Sequence, residues 1–233
     1  MAAEKEWIMA EDPVGIPVES GRTSIEGLFE QGRIGRNVIL CHPHPLYGGD
    51  MHNNVVQAAR QTFAGLEWGT LRFNFRATGA SGEYPAQGQK DASDLIAVSE
   101  FLRARSPGPI DFAAYSYGAW VTMEAIRMGL GPDSLILISP PLDLISFEGL
   151  RLPDAPTLVT LGNQDQFCSV ESLKNWLSNQ PDAKLEVFPR LDHFYWGSER
   201  ELSAKIEAFL RLNFLSDFEF PQGVSDKNGG QPG

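Results

Sequence analysis

Ile110-Asp111-Phe112-Ala113-Ala114-Tyr115-Ser116-Tyr117-Gly118 reads as a short apolar run, a serine between two tyrosines, then glycine and a helical pattern. That order predicts a strand, a sharp turn and a helix. A serine at such a turn is pushed out at the carboxyl edge of a sheet, where a substrate can reach its hydroxyl. Small residues at Ala114 and Gly118 let strand and helix approach closely enough for the turn to close. The pattern is G-x-S-x-G with alanine in place of the first glycine, one methyl larger. Any Ser-x-Gly after a strand can equally be an ordinary loop, so the rest of the chain has to decide.

Working outward, Val38–Cys41 is a continuous apolar run of the kind a strand covered on both faces needs, Leu135–Ile138 again reads as a buried strand, and Thr70–Phe75 and Thr157–Leu161 read as further strands. Lys184–Phe188 reads as the last strand. Helical spacing appears at Val56, Ala59 and Phe63, in a helix opened by Asp50 or Asn53. It recurs at Leu95, Val98 and Leu102 within Asp91–Arg105, across Ala119–Met128, and at Val170, Leu173 and Leu177. Ser198-Glu199-Arg200-Glu201 has the capping-box pattern and precedes the stripe Leu202, Ile206, Phe209 and Leu210. Trp7–Met9 and Thr23–Phe29, separated by Pro13, Pro17 and Gly21, suggest an antiparallel opening at a sheet edge. From Ser216 onward Gly, Pro, Asp, Asn and Gln dominate, as in a disordered tail. The expectation is α/β: one domain over 1–215, a mostly parallel central sheet with helices on both faces, and a tail over 216–233. Ser139–Pro156 holds four prolines, too many for a helical cap, so no lid domain is expected.

In such a sheet ligands bind at the carboxyl ends of the strands. A serine hydroxyl needs a base to take its proton and a third group to orient the base, in the chain order Ser, Asp or Glu, His. Asp165 follows the strand at Thr157–Leu161, and His193 follows the last strand. Ser116, Asp165 and His193 thus fall in the right order, each just past a strand. Asp165 could instead cap the helix near Ser169, and Asp192 is a rival carboxylate. Being adjacent to His193, Asp192 would point elsewhere. A tetrahedral intermediate needs two backbone N–H donors. One is expected from Tyr117 and the other from the loop after Val38–Cys41, where Pro43 and Pro45 have none. His44 is then the best placed donor, with Leu46 second. Tyr47, Tyr115, Phe167, Phe194 and Trp196 are the aromatics expected to wall the substrate site.

His42, His44, Asp50 and His52 lie within eleven residues and invite a metal reading. Against it, a rigid proline separates the first two histidines, and no second ligand set sits at helical spacing. No metal or organic cofactor is expected. Asn74 and Arg76 read as structural, holding neighbouring loops, ahead of binding a substrate carboxylate. A formal charge of −11 excludes nucleic acid and anionic membranes as natural partners, since both call for clustered Lys and Arg. Two cysteines, Cys41 and Cys168, imply no disulfide framework, and the N-terminus has no secretory pattern. A cytoplasmic protein acting on a small molecule is expected, in an oligomeric state the sequence does not set.

Cys-His-Pro-His-Pro-Leu-Tyr-Gly-Gly at 41–49, Leu-Arg-Phe-Asn-Phe-Arg-x-x-Gly-x-Ser at 71–81, the serine elbow, Asp165 and Asp192-His193-Phe194 together resemble the small bacterial α/β-hydrolases related to dienelactone hydrolase. The resemblance covers about residues 20–215. It implies an α/β-hydrolase fold, a Ser-Asp-His triad and esterase-type activity without a cofactor. The chain departs from that pattern at Ala77, where the family usually has glycine, and at Ala114. The expected function is a serine carboxylesterase acting through an acyl-enzyme. Acyltransferase, C–C hydrolase, lyase or cyclase chemistry on the same fold, or a non-catalytic binding protein, are the alternatives.

Overall fold

A computed structural model describes residues 11–81 and 88–215. Eight strands form one sheet: β1 (Asp12–Val18), β2 (Thr23–Glu30), β3 (Asn37–Cys41), β4 (Gly69–Phe73), β5 (Ile110–Tyr115), β6 (Ser134–Ile138), β7 (Thr157–Gly162) and β8 (Lys184–Phe188). Their order is β1-β2-β4-β3-β5-β6-β7-β8. β1 and β2 join antiparallel, and every pairing from β4 to β8 is parallel. The helices are α1 (Asn54–Gly65), α2 (Gln89–Arg105), α3 (Tyr117–Arg127), α4 (Val170–Leu177) and α5 (Glu199–Phe214).

Strand periodicity divides the core into two layers. On β5, Ile110, Phe112 and Ala114 face the layer that holds Leu95, Val98 and Leu102 of α2, Val121 and Met123 of α3 and Leu173 of α4. Ala113 and Tyr115 face the other layer, with Val55, Val56 and Phe63 of α1 and Leu202, Ile206 and Phe209 of α5. Both faces are covered, so β3 to β7 are buried along their length, Thr70 and Arg72 of β4 included.

The sequence expectation differs from the fold at the edges. Trp7–Met9 lies outside the described residues, and so does the segment from Ser216. Among the described residues the strand at this edge of the sheet is Asp12–Val18. Pro13 and Pro17 were expected to separate strands, yet both sit within this one. Proline is tolerated there because the strand pairs with β2 alone and needs no donors on its open side. β4 stops at Phe73, short of the expected Phe75, because the Phe75 N–H leaves the ladder and donates to His42 Nε2 at 2.9 Å. The expected capping box before α5 does not form, since Ser198 makes no side-chain cap; the neighbouring Glu199 accepts from the Asn54 amide. Of the two expected openers of α1, Asn53 caps it, while Asp50 Oδ1 accepts the His52 N–H one turn earlier. Ala77, where the resembled family has glycine, takes a left-handed φ of 59°.

The strand order reverses at β3: β4 lies on one side of it and β5 on the other. At such a point the loops leaving the two strands diverge to opposite faces and open a crevice. The loop after β3 carries His44, and the turn after β5 carries Ser116.

Candidate active site

Ser116 sits at φ 56°, ψ −118° between β5 and α3, a backbone conformation that L-residues seldom adopt. Such a conformation costs on the order of 1–3 kcal/mol and persists only where the surroundings enforce it. Two contacts do so. The Ser116 N–H donates to Ile138 O of β6 at 2.9 Å. The first turn of α3 also presses against the end of β3 at Gly118, where any Cβ would lie 2.7 Å from both Cys41 O and His42 O. Glycine is required there. Ala114, facing the core two residues before the serine, is accommodated without exposure.

The Ser116 hydroxyl lies 2.9 Å from His193 Nε2, and His193 Nδ1 lies 2.8 Å from Asp165 Oδ2. The imidazole is 3% exposed and the Asp165 carboxylate 0%. Asp165 Oδ1 accepts the Phe167 N–H at 2.8 Å, so both carboxylate oxygens are engaged. Asp192 accepts the Phe194 N–H at 2.9 Å and points away from the imidazole. The cap of α4 belongs to Ser169, which leaves Asp165 free for His193. The loops bearing Asp165 and His193 are joined by backbone: Gln164 N–H donates to Leu191 O at 2.9 Å. Gly162 lets them close, since a Cβ there would sit 2.2 Å from Leu191 O. Phe167 stands edge-on to the imidazole with centroids 4.7 Å apart, and the Tyr115 hydroxyl donates to His193 O at 2.9 Å.

Tyr117 and His44 line the same cavity as Ser116. Tyr117 is the first residue of α3, and its N–H belongs to the unpaired first turn. Among the described residues no hydrogen bond holds the N–H of Tyr117 or of His44. Leu46, the second-ranked donor, is engaged: its N–H donates to His44 Nδ1 at 3.1 Å. The His44 ring packs on the Tyr117 ring at 4.4 Å, so the residues carrying the two free amides support each other. Behind them the Tyr117 hydroxyl donates to Asp91 at 2.5 Å, and burial pushes the Asp91 carboxyl up to about 6.

The histidine-rich loop uses its rings as struts. His42 Nδ1 meets Pro43 O at 2.6 Å and Nε2 accepts from Phe75, so both nitrogens are occupied. Burial pushes this imidazole down to about 4, and it stays neutral. His52 meets Arg72 Nη1 at 3.2 Å. Among the described residues no group of three or more His, Cys, Asp or Glu is placed to hold a metal. Arg76 pairs with Asp94 through two bonds of 2.5 and 2.8 Å, and Asn74 Nδ2 donates to Glu26 at 2.6 Å. Arg76 thus ties its loop to α2, and Asn74 ties its loop to β2.

Ser116 and His193 open into a cavity of about 560 Å³. Tyr47, Tyr115, Phe167, Phe194 and Trp196 all line it. They differ in character: Tyr115 is buried beneath His193, whereas Tyr47 and Trp196 are 82% and 72% exposed at the rim. The lining residues not singled out in the sequence as site residues include Asn53 from the cap of α1, and Pro141, Leu144 and Ile145 from the β6–β7 connection. That connection contains turns and bends but no helix. Its prolines marked it as an uncapped stretch, but nothing in their spacing told which residues would turn inward.

No family model matches the chain. A curated relative, the uncharacterized protein RP471 of Rickettsia prowazekii (strain Madrid E), is 29% identical over 199 residues, covering 81% of this chain and 83% of its own. Among solved structures, XC6422 from Xanthomonas campestris, a serine hydrolase of the α/β type without a lid, superposes with a TM-score of 0.80. It is 27% identical, with 87% of this chain and 94% of that one covered. An α/β serine hydrolase homologue from Coxiella burnetii gives a TM-score of 0.79 at 26% identity, covering 88% of this chain and 99% of that one.

The chain has the α/β-hydrolase fold.

The Xanthomonas campestris structure is the one described as without a lid, and in this chain the connection between β6 and β7 likewise holds no helix. The likeness to α/β serine hydrolases supports a hydrolase. It does not single out the dienelactone-hydrolase branch that the sequence motifs resemble. No helix among the described residues is long and apolar enough to cross a membrane.

Proposed function

We propose that this protein is a serine carboxylesterase that cleaves small esters through an acyl-enzyme. The observation that carries the reading is the unbroken hydrogen-bond chain from Ser116 Oγ through His193 to Asp165, with distances of 2.9 and 2.8 Å. Ser116 attacks the ester carbonyl while His193 Nε2 takes its proton. Asp165 holds the ring so that Nδ1 carries the other proton, and it stabilises the imidazolium that forms. The tetrahedral oxyanion is received by the N–H groups of Tyr117 and His44, both free of other partners. His193 then gives its proton to the departing alkoxide. Water enters by the same route, with His193 as base, and releases the acid.

Each step is carried by the chain's own groups. The cavity is apolar around the reacting atoms, which strengthens the hydrogen bonds to developing charge. Buried, unpaired Cys41 and Cys168 accord with a reducing cytoplasm, the location that belongs to this reading.

Labelling by a fluorophosphonate probe tests it together with turnover of simple esters. The expected result is stoichiometric labelling of the wild type, with loss of labelling and hydrolysis in a folded Ser116→Ala variant. Ester hydrolysis that persists in that variant would remove Ser116 from the role. A labelled enzyme that transfers acyl groups to an added nucleophile in preference to water would move the assignment to an acyltransferase.

A further inference from the structure

Asn53 and Asn54 are neighbours at the start of α1, yet they use their side chains differently. Asn54 donates its amide to Phe194 O at 3.1 Å and Glu199 Oε1 at 2.9 Å, which ties α1 to the loop of His193. Asn53 uses only its carbonyl half: Oδ1 accepts the Val55 N–H at 2.9 Å as the helix cap. The cap fixes the side chain. Its NH₂ donates to no described residue, and Asn53 lines the same cavity as Ser116 and His193.

His44 adds a second oriented donor to this wall. Because the Leu46 N–H donates to Nδ1, the neutral ring carries its proton on Nε2. No described residue accepts that proton. The His44 ring is half-buried, and burial disfavours a second proton on it. Among the described residues no Lys or Arg lines the cavity, so the wall offers donors without a cation. Few, fixed polar groups in an apolar cavity are what orient a ligand. A substrate that dries such a donor without pairing it loses affinity.

We propose that Asn53 determines specificity: its side-chain amide donates to a neutral oxygen acceptor on the substrate, so preferred esters carry an ether or carbonyl oxygen besides the scissile carbonyl. This rests on Ser116 being the esterase nucleophile. Replacing the acceptor by methylene should then weaken the transition state, and replacing it by a carboxylate should not help, since no cation meets it.

The test compares isosteric ester pairs on the wild type, Asn53→Asp and Asn53→Ser. p-Nitrophenyl methoxyacetate against p-nitrophenyl butyrate exchanges O for CH₂ on the acyl side. 2-Methoxyethyl acetate against butyl acetate does so on the alcohol side. Both variants keep a cap oxygen and lose the amide NH₂, the serine hydroxyl being too short to reach its place, and their thermal midpoints check the fold. The readout is the ratio of kcat/KM within each pair, which cancels intrinsic reactivity between proteins. We expect the ether preference to fall about tenfold, the worth of one hydrogen bond, in both variants and in one of the two pairs. Unchanged ratios in both pairs would overturn the inference, as would a change in the Asp variant alone, which would report charge and not donation. A half-ester of a dicarboxylic acid turned over faster than the methoxy ester would overturn the neutrality of the acceptor. If the wild type hydrolyses none of these esters and takes no fluorophosphonate, the esterase reading itself fails, and this inference with it.

Discussion

Asp165 divides its carboxylate between two duties, Oδ2 to His193 and Oδ1 to the Phe167 N–H. An amide of the same shape cannot serve both. In Asp165→Asn the carbonyl half keeps Phe167, and the NH₂ half then faces His193 Nδ1. That forces the tautomer with its proton on Nε2, which cannot accept one from Ser116. The expected result is a folded protein with kcat lowered on the order of 10⁴-fold, checked by steady-state ester hydrolysis. His42 supports a prediction about stability. Burial pushes its folded-state value down to about 4 from 6.5, so the folded protein keeps the ring neutral where the unfolded chain protonates it. Its stabilising contribution is complete above about pH 6.5 and is lost as the pH falls toward 4. His42→Ala should cost about 2 kcal/mol at pH 7.5 by orphaning the Phe75 N–H, and less at pH 4.5. Denaturant titrations at the two pH values measure this. At this scale the sequence was informative where chemistry demands a residue type and chain order. Asn53 escaped notice because an N-cap asparagine is explained by its helix alone, and only the cavity shows that half of its side chain is left over.

Between elements, the site is assembled by close backbone approaches. β7 ends in Gly162, and the 2.2 Å separation a Cβ would have from Leu191 O is backbone against backbone, with no flexible tip to yield. Gly162→Ala must therefore part the loops of Asp165 and His193. A displacement near 1 Å costs about 100-fold in rate, so kcat should drop by at least that much. Overpacking should lower stability by about 1–3 kcal/mol, and chemical denaturation together with kinetics separates the two effects. Strands such as β3 and β6 were legible because burial on both faces leaves continuous apolar runs, and turn residues bounded them. The edge was less legible. Prolines that break a central strand are harmless in β1, which has one neighbour, so the same residues argued for a gap where a strand lies. The early end of β4 depended on His42, a residue distant in sequence. Ser198 makes no side-chain cap on α5, and the next residue, Glu199, is taken up by Asn54, far away in sequence. Local patterns do not contain these long-range partners.

At the scale of the whole molecule, the site is roofed by side chains and not by a domain. The β6–β7 connection lacks a helix, and the solved structure from Xanthomonas campestris is likewise without a lid. Around the mouth, Tyr47, Leu144, Phe194 and Trp196 are exposed, whereas Phe167 and Ile145 lie partly buried within. An acyl chain gains about 0.8 kcal/mol for each methylene removed from water. That gain continues only while carbons enter the 560 Å³ cavity. Carbons beyond it would lie along the rim, half in water, and contribute little to the transition state. The expected kcat/KM therefore rises over the shortest acyl chains and then levels off, with compact aromatic acyl groups also accepted. With no lid to displace, a lipid surface has nothing to open, and the charge of −11 disfavours adsorption to anionic interfaces. An acyl-length series of p-nitrophenyl esters, measured below and above the micelle threshold, checks both statements. A steady rise toward long chains, or a jump in rate once micelles form, would mean that the rim is part of the binding site and that it works at an interface.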